Sequence, residues 1–177
     1  WAVLCEKFAV GNVCYALIGA AIPLMISGGF HVDGYMDTMD AFHSYQSREK
    51  KLEILKDSHI GAFAAIMLAL YYMIDIAAIS EIHTQKAVSA LAAVFFLARC
   101  FSGIAVMTLQ PAKKEGLLYT FASSAQKVRV KAALYFQTVL CVVLMLLVSG
   151  WYGAAAIGAA LLSFFYFKKK SYKELGG

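Results

Sequence analysis

Three aspartates, Asp33, Asp37 and Asp40, are spaced i, i+4 and i+7. On a helix turning about 100° per residue they fall at roughly 0°, 40° and −20°, all on one face. Like charges placed so repel by roughly a few tenths of a kcal/mol per pair, a cost that a bound cation offsets. Oxygen donors alone suit Mg²⁺, or Mn²⁺ in its place, rather than zinc. The spacing therefore points to a hard-metal site, against the plainer reading of a solvated helix face.

The aspartates lie in a polar stretch, residues 28–61, that holds six of the eleven carboxylates and three of the four histidines. His31 has a side chain whose ordinary pKa suits a general base for an attacking hydroxyl, or one that only orients its loop. Arg48 offers a bidentate phosphate clamp, and Lys113 and Lys114 offer point charges. Carboxylates that hold a metal beside such cations suit a phosphorylated substrate, with the metal neutralising charge on a leaving phosphate. Glu49, Glu53 and Asp57 could join the site. Lys50, Lys51 and Lys56 alternate with them, however, as on an interfacial amphipathic helix. His43 and His59 are weaker candidates, and His83 reads as a loop residue.

The elements that must position these groups are apolar. Of 177 residues, 61% are hydrophobic, 15% are charged and two are prolines. This excludes both an ordinary soluble domain and a disordered chain. Several runs approach the roughly 17–25 residues that cross a bilayer as helix. The expectation is an all-α polytopic transmembrane bundle of about five spans, 8–27, 60–80, 87–109, 132–149 and 152–167, forming a single integral membrane domain over 1–177. The loops 28–59 and 110–131 would carry the active site, with a helix over about 32–42 bearing the aspartates and another over about 48–56. Lys168–Lys170 would stop the last span. Thirteen of the sixteen Lys and Arg fall on the side of these two loops and the C-terminus, which the positive-inside rule assigns to the cytoplasm. A multi-pass protein of the cytoplasmic membrane follows, with the lipid bilayer as a partner and no nucleic acid. The four cysteines sit singly in apolar segments and read as small buried hydrophobes. The chain opens on Trp1 and closes on Gly176-Gly177, which reads as a fragment cut at both ends.

Arg99 lies deep within its span, where an arginine costs at least about 2.5–3.5 kcal/mol unless it is paired or faces water. A phosphate or carboxylate at the base of a cavity is one partner for it. Asp75 is the other, in a purely structural pair.

The pattern His31-x-Asp33-Gly34-x-x-Asp37-x-x-Asp40 follows Gly28-Gly29. It precedes Ser47-Arg48-Glu49, Leu52-Glu53-Ile54, Lys56-Asp57-Ser58 and Gly61-Ala62-Phe63. Together with Arg99, Pro111 and Glu115-Gly116, it resembles the cobalamin synthase family, the adenosylcobinamide-GDP ribazoletransferases. The resemblance runs from about Ala21 to Gly116. It implies a Mg²⁺-dependent transfer in cobalamin (vitamin B12) biosynthesis. A hydroxyl of α-ribazole, or of its 5′-phosphate, would attack the cobinamide-linked phosphorus of adenosylcobinamide-GDP and expel GMP, leaving adenosylcobalamin or its 5′-phosphate. It also implies catalytic roles for His31, Asp33, Asp37 and Asp40, with the three aspartates as metal ligands. Gly29, Gly34, Arg48, Glu49, Glu53, Asp57, Arg99, Lys113 and Lys114 would contact substrate. A homo-oligomer, or an assembly with other cobalamin-biosynthesis enzymes, is compatible with it. Ala41 and Ala64 stand where many members carry glycine, and Lys113-Lys114 where arginine is frequent. The family's threonine-glycine-aspartate motif follows a glycine pair; if that pair is Gly176-Gly177, the motif lies beyond this chain and the fragment alone would be inactive.

Two other classes compete. A CDP-alcohol phosphatidyltransferase would want a further Gly-x-x-x-Asp-x-x-x-Asp, which residues 49–57 do not supply. A divalent-cation transporter would place acids near the midplane of several spans, where only Asp75 qualifies.

Overall fold

The computed structural model describes residues 1–112, 119–120, 123 and 126–176. All the regular structure among them is helical: α1 (Ala2–Lys7), α2 (Asn12–Ser27), α3 (Phe30–His43), α4 (Arg48–Ile54), α5 (Ala62–Ser80), α6 (Gln85–Thr108), α7 (Lys127–Ser149) and α8 (Trp151–Glu174). The chain forms two compact units, Trp1–His83 and Thr84–Gly177.

In the first unit α5 is the axis, with α2 and α3 packed on it. Small residues set the approach of α2: Ala16 and Ala20 are buried, and the Gly19 position meets the Ile79 side chain. Small side chains let helix backbones come close without needing a hydrophobic driving force. Trp1 Nε1 donates to the Tyr15 carbonyl at 2.9 Å, and the Tyr15 hydroxyl donates to the Ile82 carbonyl at 2.7 Å. The seam between α3 and α5 is tighter still, with Ala41 0% and Ala64 2% exposed. Tyr35 reinforces it, its hydroxyl donating to the Met67 carbonyl at 3.3 Å and its ring lying 5.6 Å from that of Tyr71.

Gly28 and Gly29 join α2 to α3. Both take left-handed backbone angles, φ +61° and +81°, which only glycine adopts without penalty. The two helices are consequently bent by 97°. The Gly29 carbonyl accepts the Asp33 amide at 2.9 Å, so α3 begins at Phe30, two residues earlier than the sequence predicts.

In the second unit Leu97, Cys141 and Met145 form the core between α6 and α7, with Ala156, Ile157 and Ala160 of α8 against it. Gly103 receives the Leu134 side chain. After Gly150 (φ +54°), the chain reverses so tightly that a Cβ on Gly153 would overlap the Met145 carbonyl. Near the other end of this hairpin, the Gln110 amide donates to the Tyr172 hydroxyl at 3.0 Å.

Three helices, α5, α6 and α7, are long and apolar enough to cross a membrane, and α2 with α3 makes a fourth if the bent pair is one span. Their outward faces are apolar, for example Ile66, Met73 and Ile74 on α5 and Phe136, Val139 and Leu147 on α7. Apolar surface that extensive belongs in lipid. The chain is a membrane protein, all-helical among the described residues, which hold three to four candidate spans where the sequence predicts about five. The first expected span is broken at residues 8–11, leaving the sixteen residues of α2, just under bilayer length. The last is part of α8, where tyrosines, Trp151 and glycines dilute the apolar run. Lys168–Lys170 do not stop that helix, which continues to Glu174; lysine is a good helix former.

Candidate active site

The aspartates occupy successive turns of α3, as the spacing predicts. Asp33 is exposed, and Asp37 and Asp40 are half-buried. Asp33 and Asp40 are seven residues apart, a rise of about 10.5 Å along the axis. One ion is too small to span that distance. Among the described residues no three His, Cys, Asp or Glu side chains gather closely enough to hold a metal. Adjacent pairs, Asp33 with Asp37 or Asp37 with Asp40, are one helical turn apart and offer the oxygen donors Mg²⁺ prefers. It typically takes one or two carboxylates and fills its octahedron with water and substrate phosphate. Asp37 belongs to both pairs.

Asp40 has a second neighbour. Its carboxylate lies directly over the Cα of Gly61, the residue that opens α5. One turn further on, the His43 ring stacks on Phe63 with centroids 5.9 Å apart. His43 Nδ1 is 2.8 Å from the Met39 carbonyl. A carbonyl can only accept, so Nδ1 carries the proton and Nε2 is the nitrogen left for other chemistry.

His31 also belongs to α3. Because α3 already includes it, it stands about 160° around the axis from Asp33, exposed and edge-on to Phe30 at 5.6 Å. His43 is about 60° from Asp40 by the same measure. Gly29 is explained by its backbone. Gly34 has open space where a side chain would go, and its carbonyl accepts the Thr38 hydroxyl at 2.7 Å.

The carboxylates that follow have local work. Glu49 is held below the ordinary glutamate pKa, first by its own backbone N–H and then by Ser47 at the start of α4. Glu53 accepts from Lys50 Nζ at 2.6 Å on the surface. Asp57 accepts from the His59 amide at 3.0 Å and lies 2.6 Å from His59 Nδ1. The amide first, and the ring second, keep its carboxyl below the usual aspartate range. That closes the turn leading to Gly61. Arg48 is exposed on α4, whereas Lys51, on the same helix, is buried. Arg99 stands on the exposed side of α6, in the other unit. Lys113 and Lys114 lie outside the described residues.

Neither Gly61 nor His43 stands out from residue type and spacing. The only signal for Gly61 was its place in the Gly61-Ala62-Phe63 pattern.

A family model described as cobalamin-5-phosphate synthase matches residues 1–177. The chain belongs to the cobalamin-5-phosphate synthase family. It is 42% identical over 168 residues to a protein of Lachnoclostridium phytofermentans named adenosylcobinamide-GDP ribazoletransferase, covering 95% of this chain and 64% of the relative. Proteins of the same name in Clostridium botulinum and Mesorhizobium japonicum are 30% and 31% identical, over 88% and 86% of this chain. The chain thus spans somewhat under two thirds of the curated synthase relatives it matches, 62% and 58% of these two. No solved structure matches it. Within the family match, Asp33, Asp37, Asp40, His43 and Gly61 all fall in the first unit.

Proposed function

We propose that this chain carries the metal-binding part of an adenosylcobinamide-GDP ribazoletransferase of the cytoplasmic membrane, with residues 28–59 facing the cytoplasm. The observation that carries the reading is the aspartate face of α3 in a chain 42% identical to a relative of that name. Mg²⁺, or Mn²⁺ in its place, would polarise the pyrophosphate and neutralise the charge that develops on the departing phosphate. Asp37 with Asp33 or Asp40 would hold it.

The rest falls to the chain's own groups. The hydroxyl oxygen of α-ribazole, free or as its 5′-phosphate, forms a bond to the cobinamide-linked phosphorus. The bond from that phosphorus to the bridging oxygen breaks, and GMP leaves with the bonding pair. The proton of the hydroxyl passes to a base. His43 Nε2 is better placed than His31 for that role, since it stands about 60° around α3 from Asp40 where His31 stands about 180° from it. Arg48 supplies a phosphate contact, and Glu49, Glu53 and Asp57 shape the approach. The test is GMP release by membranes carrying the full-length protein, given adenosylcobinamide-GDP, α-ribazole and Mg²⁺. Release should require all three; none from well-expressed protein would remove the reaction.

A further inference from the structure

We infer that Gly61 is a positioning residue that sets where the carboxylate of Asp40 stands, an inference that rests on the aspartate face being the metal site. The backbone at Gly61 has φ −79° and ψ 162°, an extended conformation open to any residue. Glycine is not needed there for its freedom, in contrast to Gly28 and Gly29. It is needed for space: a Cβ built on Gly61 would overlap both carboxylate oxygens of Asp40 and its Cγ. Gly11, Gly34 and Gly158 have nothing within 4 Å of that position.

The helices have no easy way to part and make room. Ala41, the residue after Asp40, and Ala64, three residues after Gly61, are 0% and 2% exposed. The His43 ring on Phe63 clamps the same corner. Asp40, by contrast, ends in a short side chain with two free torsions. An added methyl group at 61 therefore moves the carboxylate rather than the backbone. Gly61 thus decides whether Asp40 keeps its place one turn from Asp37, available to the same cation.

The full-length protein in detergent micelles tests this, with Mn²⁺ as the probe followed by paramagnetic resonance and thermal melting followed by circular dichroism. Gly61→Ala should keep its helix content and bind Mn²⁺ at least tenfold more weakly. In an Asp40→Ala background, adding Gly61→Ala should change neither Mn²⁺ binding nor melting, because the methyl group then occupies vacated space. Native Mn²⁺ affinity in Gly61→Ala would overturn the inference. So would an effect of equal size in both backgrounds. If Gly61→Ala does not accumulate as folded protein, the double variant decides. Its recovery puts the clash at the Asp40 carboxylate, and its failure puts the cause elsewhere and sinks the inference. If the unaltered protein takes up no Mn²⁺, the metal reading falls, while non-additive melting still shows Gly61 placing Asp40.

Discussion

In the proposed reaction Asp37 matters most, because each adjacent carboxylate pair on α3 includes it. Asp37→Asn keeps the shape and removes the charge. GMP release should fall at least about a hundredfold, the scale of losing a metal or an equivalent electrostatic contact, with membrane insertion and helix content unchanged. The two histidines separate by geometry. His43→Ala should lower turnover by roughly a hundredfold if it takes the proton, whereas His31→Ala, on the opposite side of α3, should cost less than about tenfold; parallel assays of the two variants compare them. Asp57 makes a pH-dependent prediction of definite sign. Its folded carboxyl titrates below the ordinary aspartate value, so its contribution is complete above the unfolded value of about 3.9. It disappears as the pH falls through the lower, folded value. Exchange protection of the His59 amide should therefore hold at mildly acidic pH and be lost only in stronger acid. Asp57→Asn should abolish that acid-dependent loss.

At the scale of the element, the helices themselves were legible. Apolar runs of bilayer length bounded by polar turns foretell α5, α6 and α7 within a few residues, and Ser47 before Arg48 foretells the start of α4. What decided His31 was the first turn of α3. With Gly29 in the left-handed region and its carbonyl accepting the Asp33 amide, the helix takes in His31 and sets it about 160° around the axis from Asp33. Spacing alone leaves that angle undetermined. Gly29→Ala should destabilise the corner by about 1–2 kcal/mol, the cost of a left-handed residue bearing a Cβ, measured as a lowered melting temperature. The contact of Asp40 with Gly61 joins two helices, and tertiary contacts of this kind leave no local pattern. In the second unit Leu97 is fully buried between α6 and α7. Leu97→Ala should cost about 2–5 kcal/mol.

Across the whole molecule the organising fact is an apolar exterior that only a lipid environment satisfies. Composition made the membrane class plain; the count of spans was less legible. Hydropathy does not register the break at residues 8–11. Nor does it show that a helix can run on through Lys168–Lys170, since charge halts insertion without halting backbone hydrogen bonding. Orientation rests on the basic residues, so it can be tested across the whole chain. Single cysteines introduced at 46 and at 170 into a cysteine-free background should be shielded from an impermeant thiol reagent in intact cells and modified once the membrane is opened. A cysteine at 84 should react from outside. Arg99 belongs to this scale too, because an arginine facing lipid is costly. Arg99→Leu should insert at least as well as the parent sequence, measured as protein recovered in the membrane fraction.

The glycines at 28, 29 and 61 would leave different signatures in a genetic selection. Asparagine tolerates the left-handed region better than other residues with a side chain, so survivors at 28 and 29 should include it beside glycine. At 61 the demand is for empty volume, and asparagine fills that volume as surely as alanine does. A saturation library passed through a requirement for cobalamin should return two letters at the bend and one at the entrance to α5.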